Sequence, residues 1–232
     1  MNILRQVTVA VAVVLLLGGC DLRKNQGPAD NGVAALEPGE ILGQAKDALD
    51  KSSSFHVAGT IVITGRTAGY DLKVSAENRL GTLTPETGSP VQMLVSGKRT
   101  YFKVDERLLA GAVGAKEAHR LAPYLAESWV EPAREYTVFA ALTVPFQRDQ
   151  LVKALGAVTK DERPTTYEGH PAIVLHDAGG GFTSLYVSTT GDPVPLAMTG
   201  AGGAKVVFTE YGEGFTGLMR PASGDIIVVP NT

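Results

Sequence analysis

Between Glu40 and Lys51 the apolar residues Ile41, Leu42, Ala45, Ala48 and Leu49 recur at helical spacing, with Pro38 just ahead of them. That spacing predicts a short amphipathic helix. From Phe55 the period drops to two. Phe55, Val57, Gly59, Ile61 and Ile63 alternate with His56, Ala58, Thr60, Val62 and Thr64, the pattern of a half-buried strand. Gly65 to Gly69 read as a turn. A second strand then sets Tyr70, Leu72, Val74 and Ala76 against Asp71, Lys73, Ser75 and Glu77. A Pro- and Gly-bearing connection, Thr82 to Pro90, leads to Val91, Met93 and Val95. The hairpin turn Ser96-Gly97-Lys98 follows, and then a strand from Thr100 to Val104.

From Glu106 to about Leu155 the pattern is helical. Leu108, Leu109, Val113, Leu121, Leu125, Phe139, Leu142, Leu151 and Leu155 are spread through it, and Pro123, Pro132 and Pro145 interrupt it. Two or three helices broken at the prolines are expected. Strand patterns return at Thr165–Tyr167, Ala172–His176, Thr183–Ser188, Val194–Thr199, Lys205–Tyr211 and Ile226–Val229. Turns at Gly179-Gly180-Gly181, Gly191-Asp192 and Gly200–Gly203 separate several of them. The order of helix, strands, helical insert and strands predicts an α+β fold. Its expected form is a single strongly curved antiparallel β-sheet, a half-barrel, with helices on the concave face and one domain over residues 38–232.

The first residues form a different unit. Arg5 precedes an apolar run from Val7 to Leu17, interrupted only by Thr8, and Gly18-Gly19-Cys20 follow. A basic start, an apolar core too short to span a bilayer and small residues before a cysteine are the layout of a lipoprotein signal peptide. Residues 1–19 are therefore expected to be removed and Cys20 to carry lipid, with two or three acyl chains needed for stable anchoring. Residues 20–37 are polar, with Gly, Pro, Asp and Asn and no periodicity, and are expected to be a flexible tether. The expected location is the extracytoplasmic face of a cell membrane.

Composition narrows the function. The formal net charge is −3, with 21 basic and 24 acidic residues. No Lys/Arg stripe marks a nucleic-acid surface. The lone cysteine is assigned to lipid, so no disulfide framework and no thiol nucleophile remain. His56, His119, His170 and His176 lack the spacing of a zinc pair, and no HExxH occurs. Neither a G-x-S-x-G elbow nor a Ser-x-x-Lys pair is present. The triglycine at 179–181 is not followed by the Lys-Ser/Thr of a phosphate loop. Asp161 and Glu162 are adjacent and would face opposite sides of a strand, poor geometry for acid–base work. These readings predict neither an enzyme nor a cofactor.

Three ordered blocks carry a resemblance. They are Ile41-Leu42-Gly43-Gln44-Ala45 through Lys51-Ser52-Ser53-Ser54-Phe55-His56-Val57, then Leu185 through Leu196 (LYVSTTGDPVPL), and then Val207-Phe208-Thr209-Glu210-Tyr211-Gly212 with Pro221 downstream. With the cysteine motif and the chain length, they resemble the mycobacterial lipoproteins LppX, LprA, LprF and LprG over most of residues 38–230. The resemblance implies a half-barrel fold shared with the LolA and LolB lipoprotein carriers. It also implies a hydrophobic cavity on the concave side for acyl chains of envelope lipids or lipoglycans.

The residues alone leave two outcomes. A one-sided sheet must cover its apolar face, and helices rich in Ala and Gly, with Gly111 and Gly114 in the first, cover it thinly. Either a dry hollow remains or the same residues close into a packed core, and dense interiors are the rule. The first outcome predicts a membrane-anchored carrier of acylated lipid or lipoglycan, with an envelope transporter as a further partner. Its cavity would be lined by Phe55, Val57, Ile61, Ile63, Tyr70, Leu72 and Val74 from the first strands. Leu109, Val113, Leu125, Phe139 and Leu142 would come from the helical insert. The second outcome predicts a protein-binding sensor or accessory subunit with a filled core.

Overall fold

A computed structural model describes residues 29–132, 137–148, 151, 156–177 and 182–229. The signal segment, Cys20, the tether up to residue 28, Leu155 and the triglycine lie outside them. The chain joins the fold earlier than the sequence predicts, at Asp30 instead of residue 38. Asp30 bridges Thr190, the Asn31 backbone N–H donates to the Thr189 carbonyl (2.8 Å), and Val33 is buried in a short 3-10 turn. The side-chain amide of Asn31 makes the anchorage specific by donating to the carbonyls of Ser188 (3.1 Å) and Gly191 (3.0 Å).

Helix α1 (Pro38–Lys51) starts where a helix start is encoded. Pro38 takes the first turn, and Glu37 and Glu40 form a reciprocal capping box. Its buried stripe is Ile41, Leu42, Ala45 and Leu49. Five strands follow as an antiparallel meander: β1 (Ser54–Ile63), β2 (Arg66–Ser75), β3 (Asn78–Pro85), β4 (Val91–Ser96) and β5 (Arg99–Lys103). The β1–β2 turn is only Thr64-Gly65, both at positive φ as a type I′ hairpin demands. The chain then forms α2 (Glu106–Val113), capped by Asp105 accepting from the Leu108 N–H, and α3 (Ala115–Leu125). These two part at Gly114, which takes φ +82, and Pro123 sits inside α3, so the break falls at the glycine and not at the proline.

A short strand, β6 (Trp129–Pro132), and a helix, α4 (Thr137–Thr143), complete the insert, and a 3-10 turn over Val144–Phe146 succeeds α4. The second half contributes β7 (Val158–Lys160), β8 (Thr165–Tyr167), β9 (His170–Asp177), β10 (Phe182–Ser188), β11 (Pro195–Gly200), β12 (Lys205–Thr209) and β13 (Ile226–Val229). All thirteen strands belong to one curved, unclosed sheet, ordered β13-β6-β5-β4-β3-β2-β1-β12-β11-β10-β9-β7 with β8 on β9. The expected α+β half-barrel is therefore the fold. Its strands pair antiparallel throughout, except that β13 lies parallel to β6.

The registers define the two faces. Val57 stands opposite Leu72 and Phe208, Leu72 opposite Gly81, and Gly81 opposite Met93. These positions and their same-parity neighbours Phe55, Val74, Leu83, Val91 and Phe102 point to the concave side. They form one buried cluster with α1, Leu109, Leu121, Leu125 and Phe139. The convex side carries Ser54, Lys73, Leu94 and Tyr101. Residues 210–225 cross it to reach the far edge of the sheet. On the way the Gly212 N–H donates to Ser54 (3.0 Å), the Ser54 hydroxyl donates to the Glu213 carbonyl (2.6 Å), and Lys73 lies over the Phe215 ring. That crossing brings the chain to β6 running in the parallel sense.

The junction of the two halves depends on Gly59. It adopts φ +149, and a Cβ there would lie 2.1 Å from the Lys205 carbonyl oxygen. Only glycine lets β12 come this close to β1.

Candidate functional site

An apolar cavity of about 210 Å³ opens at the end of the sheet where β1 finishes and β12 begins. β1 supplies Ile61 and Val62, β2 supplies Tyr70, β11 supplies Met198, and β12 supplies Val206 and Phe208. The opposite wall is Val144 and Pro145 from the 3-10 turn, with Leu151 beyond it. Among the described residues, the 3-10 turn and Leu151 face the strands across this cavity.

That turn is held in place by specific contacts. The Tyr70 hydroxyl donates to the Pro145 carbonyl at 2.7 Å, and the Tyr70 ring stacks on Phe146 at 5.6 Å with only 12° between the planes. Phe146 in turn occupies the space over Gly81, where a Cβ would meet the ring at 2.2 Å. Past the turn, Arg148 donates to the Ser52 carbonyl and lies over the Phe55 ring at 5.0 Å. Burial is the chief cause that lowers the Arg148 pKa. Residues 144–148 thus run along the concave face from the cavity to the end of α1.

The wall's chemistry is uniform. Among the described lining residues the one side-chain oxygen, the Tyr70 phenol, is already hydrogen-bonded, and burial pushes its pKa well above the ordinary tyrosine range. Such a wall offers contact area and no polar handle. An apolar cavity of about 150 Å³ stays dry and takes benzene. This one is of comparable volume but open on one side. It is smaller than the ~300 Å³ at which sites for whole drug-sized ligands begin.

The predicted lining residues divide into three groups. Ile61 and Tyr70 line the cavity. Phe55, Val57, Leu72, Val74, Leu109, Leu125 and Phe139 are buried in the packed core, with Val113 and Leu142 against its margin. Ile63 is 37% exposed, because it pairs with Arg66 at the hairpin turn, beyond the layer that covers the sheet. Sequence reasoning missed Val62, Val144, Pro145, Leu151, Met198, Val206 and Phe208 as lining residues. The alternation Val206, Phe208 was a usable signal, since it is in phase with Gly59 and Val57 across the β1–β12 ladder. Cys20 lies outside the described residues.

Two other clusters stand apart from the cavity. A polar groove of about 300 Å³ runs beside α1, lined by Gln44, Asp47, Lys51, Ser52 and Asp192 among others. On the convex face, His176 lies between Ser184 (Nδ1 to Oγ, 3.1 Å) and Asp161 (Nε2 to Oδ1, 2.8 Å). This serine–imidazole–carboxylate row was not foreseen because three separate strand regions contribute to it. It is open to solvent, with His176 and Asp161 side chains 43% and 47% exposed. Among the described residues, no three His, Cys, Asp or Glu side chains group to hold a metal, and no helix is long and apolar enough to cross a membrane.

Neither a protein-family model nor a curated protein matches the chain. Among solved structures it is similar to LprF from Mycobacterium bovis, with a TM-score of 0.47 and 13% identity over 85% of this chain and 100% of that one. It is also similar to the Mycobacterium tuberculosis lipoprotein LppX, with a TM-score of 0.45 and 13% identity over 81% of this chain and 99% of that one. LprF and LppX are two of the lipoproteins that the sequence resembles. A further similarity is to an uncharacterized conserved protein from Thermus thermophilus, with a TM-score of 0.41 and 12% identity over 82% of this chain and 98% of that one.

Proposed function

We propose that this protein is an envelope lipoprotein, anchored through Cys20 at the extracytoplasmic face, that binds acyl chains of lipids or lipoglycans and carries out no covalent chemistry. The observation that carries the reading is the cavity at the end of β1, whose described lining is apolar and whose Tyr70 phenol is already hydrogen-bonded. Each methylene moved from water into such a wall gains ~0.8 kcal/mol. A lipid arriving from a bilayer gains far less, since it leaves equally apolar surroundings. Uptake and release then differ little in free energy, as carriage requires. The cavity takes a segment of a chain, with the remainder lying along the exposed rim.

The absence of covalent chemistry is part of the proposal. The Ser184–His176–Asp161 row is solvent-exposed on the face opposite the cavity, and the mid-strand serine is flanked by paired strands on both sides. One observation favours the second reading, a protein-binding sensor or accessory subunit: most of the concave face is filled by tightly buried side chains.

The deciding experiment uses protein lacking residues 1–19 with Cys20→Ser, purified without detergent. Organic extraction and mass spectrometry should recover an acylated species, and a fluorescent fatty acid should bind. Protein that is empty and takes up no fatty acid would overturn the carrier reading in favour of the filled-core one.

A further inference from the structure

One row of the concave face carries a cation among apolar side chains. The registers set Phe55 opposite Val74, Val74 opposite Arg79, and Arg79 opposite Val95. Phe55, Val74 and Val95 are buried, and Arg79 stands half-buried among them. The row crosses the end of the sheet where α1 passes into β1. Along β1 it lies about six residues, or ~20 Å, from Ile61 and the acyl cavity.

A second cation reaches the same row from the segment that crosses the concave face. Arg148 lies over the Phe55 ring at 5.0 Å and donates to the Ser52 carbonyl, just past the last turn of α1. Two strand spacings, ~10 Å, separate Phe55 from Arg79. The two charges act on each other. Burial is the chief cause that lowers the Arg148 pKa, Asp50 raises it, Arg79 lowers it further and Tyr211 raises it.

Both arginines have donors to spare. The Nε–H of each is buried and without an acceptor among the described residues, and neither guanidinium forms an ion pair there. A lysine so placed could shed its proton, whereas an arginine keeps its charge. Two like charges drawn partly out of water, with donors left over, are costly until an anion takes them up. Packing supplies no reason for Arg79, since the next concave positions of β3 are Gly81 and Leu83.

We propose that Arg79 and Arg148 together bind an oxyanion, a phosphate or a carboxylate, at the α1 end of the concave face. The planar guanidinium fork matches two oxygens of either group. The site is separate from the acyl cavity and goes beyond the carrier reading. Its anion is a free solute or the head of an acylated lipid.

The test uses full-length lipidated protein, labelled with 15N-arginine, in neutral dodecyl maltoside micelles. Inorganic phosphate, acetate and laurate are titrated in turn, with chloride at matched ionic strength as the reference. The Nε–H resonances of Arg79 and Arg148, assigned from Arg79→Gln and Arg148→Gln, should shift together and saturate. Those of the exposed Arg66 and Arg220 should stay in place. Each glutamine substitution should weaken binding about tenfold. Arg79→Lys and Arg148→Lys, which keep the charge and lose the fork, should weaken it too, and they serve for assignment where a glutamine variant does not fold. Laurate bound about tenfold more tightly than acetate identifies a lipid head. Acetate or phosphate bound as tightly as laurate identifies a free solute, and either result upholds the site. No shift with any of the three anions overturns the proposal, as do shifts that chloride reproduces or an affinity that no arginine substitution changes. Uptake of a fluorescent fatty acid, measured on the same samples, reports on the cavity alone, so its failure is told apart from failure of the anion site.

Discussion

The phenol of Tyr70 donates to the carbonyl of Pro145, joining the middle of β2 to the turn that walls the cavity. Tyr70→Phe keeps the stacking on Phe146 and leaves a buried carbonyl without its donor. The expected loss is about 1–2 kcal/mol, read from urea denaturation. Fatty-acid exchange should accelerate at the same time, because the wall is held less firmly.

Alkaline pH should destabilise the fold. Burial pushes the phenols of Tyr70 and Tyr211 well above the ordinary range, and each donates to a proline carbonyl, Pro145 and Pro195 respectively. Unfolded tyrosines ionise near pH ~10 while these two keep their protons, so the unfolded state binds fewer protons above that pH. Stability is fully present below pH ~10 and falls by up to ~1.4 kcal/mol per pH unit for each phenol above it. Denaturation midpoints through this range should show the slope, and Tyr70→Phe should remove Tyr70's share.

Gly81 and Phe146 should behave as a coupled pair. Gly81→Ala drives a methyl into the Phe146 ring and should cost about 1–3 kcal/mol. Phe146→Ala should cost about 3–5 kcal/mol through the void it leaves. The double variant should cost less than the two together, since the new methyl then enters emptied space. Strict additivity in a double-mutant cycle would show that the ring does not rest on that glycine.

Binding and stability should separate at the cavity. Ile61→Trp fills the hollow from β1 and should abolish fatty-acid uptake while changing stability by less than about 3 kcal/mol. Val144→Asp places a carboxylate at the rim. Being half exposed, it should alter stability by no more than about 0.5 kcal/mol, yet weaken uptake about tenfold, or ~1.4 kcal/mol. Fluorescence titration and thermal melts on the same samples check both.

Local pattern carried β1, β2, β4, β5 and the strands from β8 onward, most of which alternate large apolar and polar side chains against a single covered face, whereas β7, three residues long, gave no such signal. By the same local pattern, most of β3 reads as a connection. Its concave positions are Arg79, Gly81 and Leu83, and Gly81 is small for the sake of a ring far along the chain, which no local window contains. β6 is four residues long and is recognisable only through its neighbours Phe102 and β13. The first-helix stripe, with its Pro38 start, was legible, whereas the fastening of Asn31 depends on carbonyls from the distant β10–β11 turn. The cavity was half legible: Ile61 and Tyr70 follow from alternation. Val144 and Pro145 come from a segment whose prolines signalled only a break, and Leu151 from one that read simply as helical.

The pairing of β1 with β12 also governs how the molecule comes into being. Ser54 and Glu213 meet across 159 positions of sequence, beside the β1–β12 ladder that ties β7 to β12 to the rest of the described sheet. A nascent chain emerging amino end first must hold β1 with an open, hydrogen-bond-hungry flank until nearly all of the polypeptide has arrived. Such late, non-local closure makes for slow maturation. It also places the greatest risk of self-association in the interval before β12 docks.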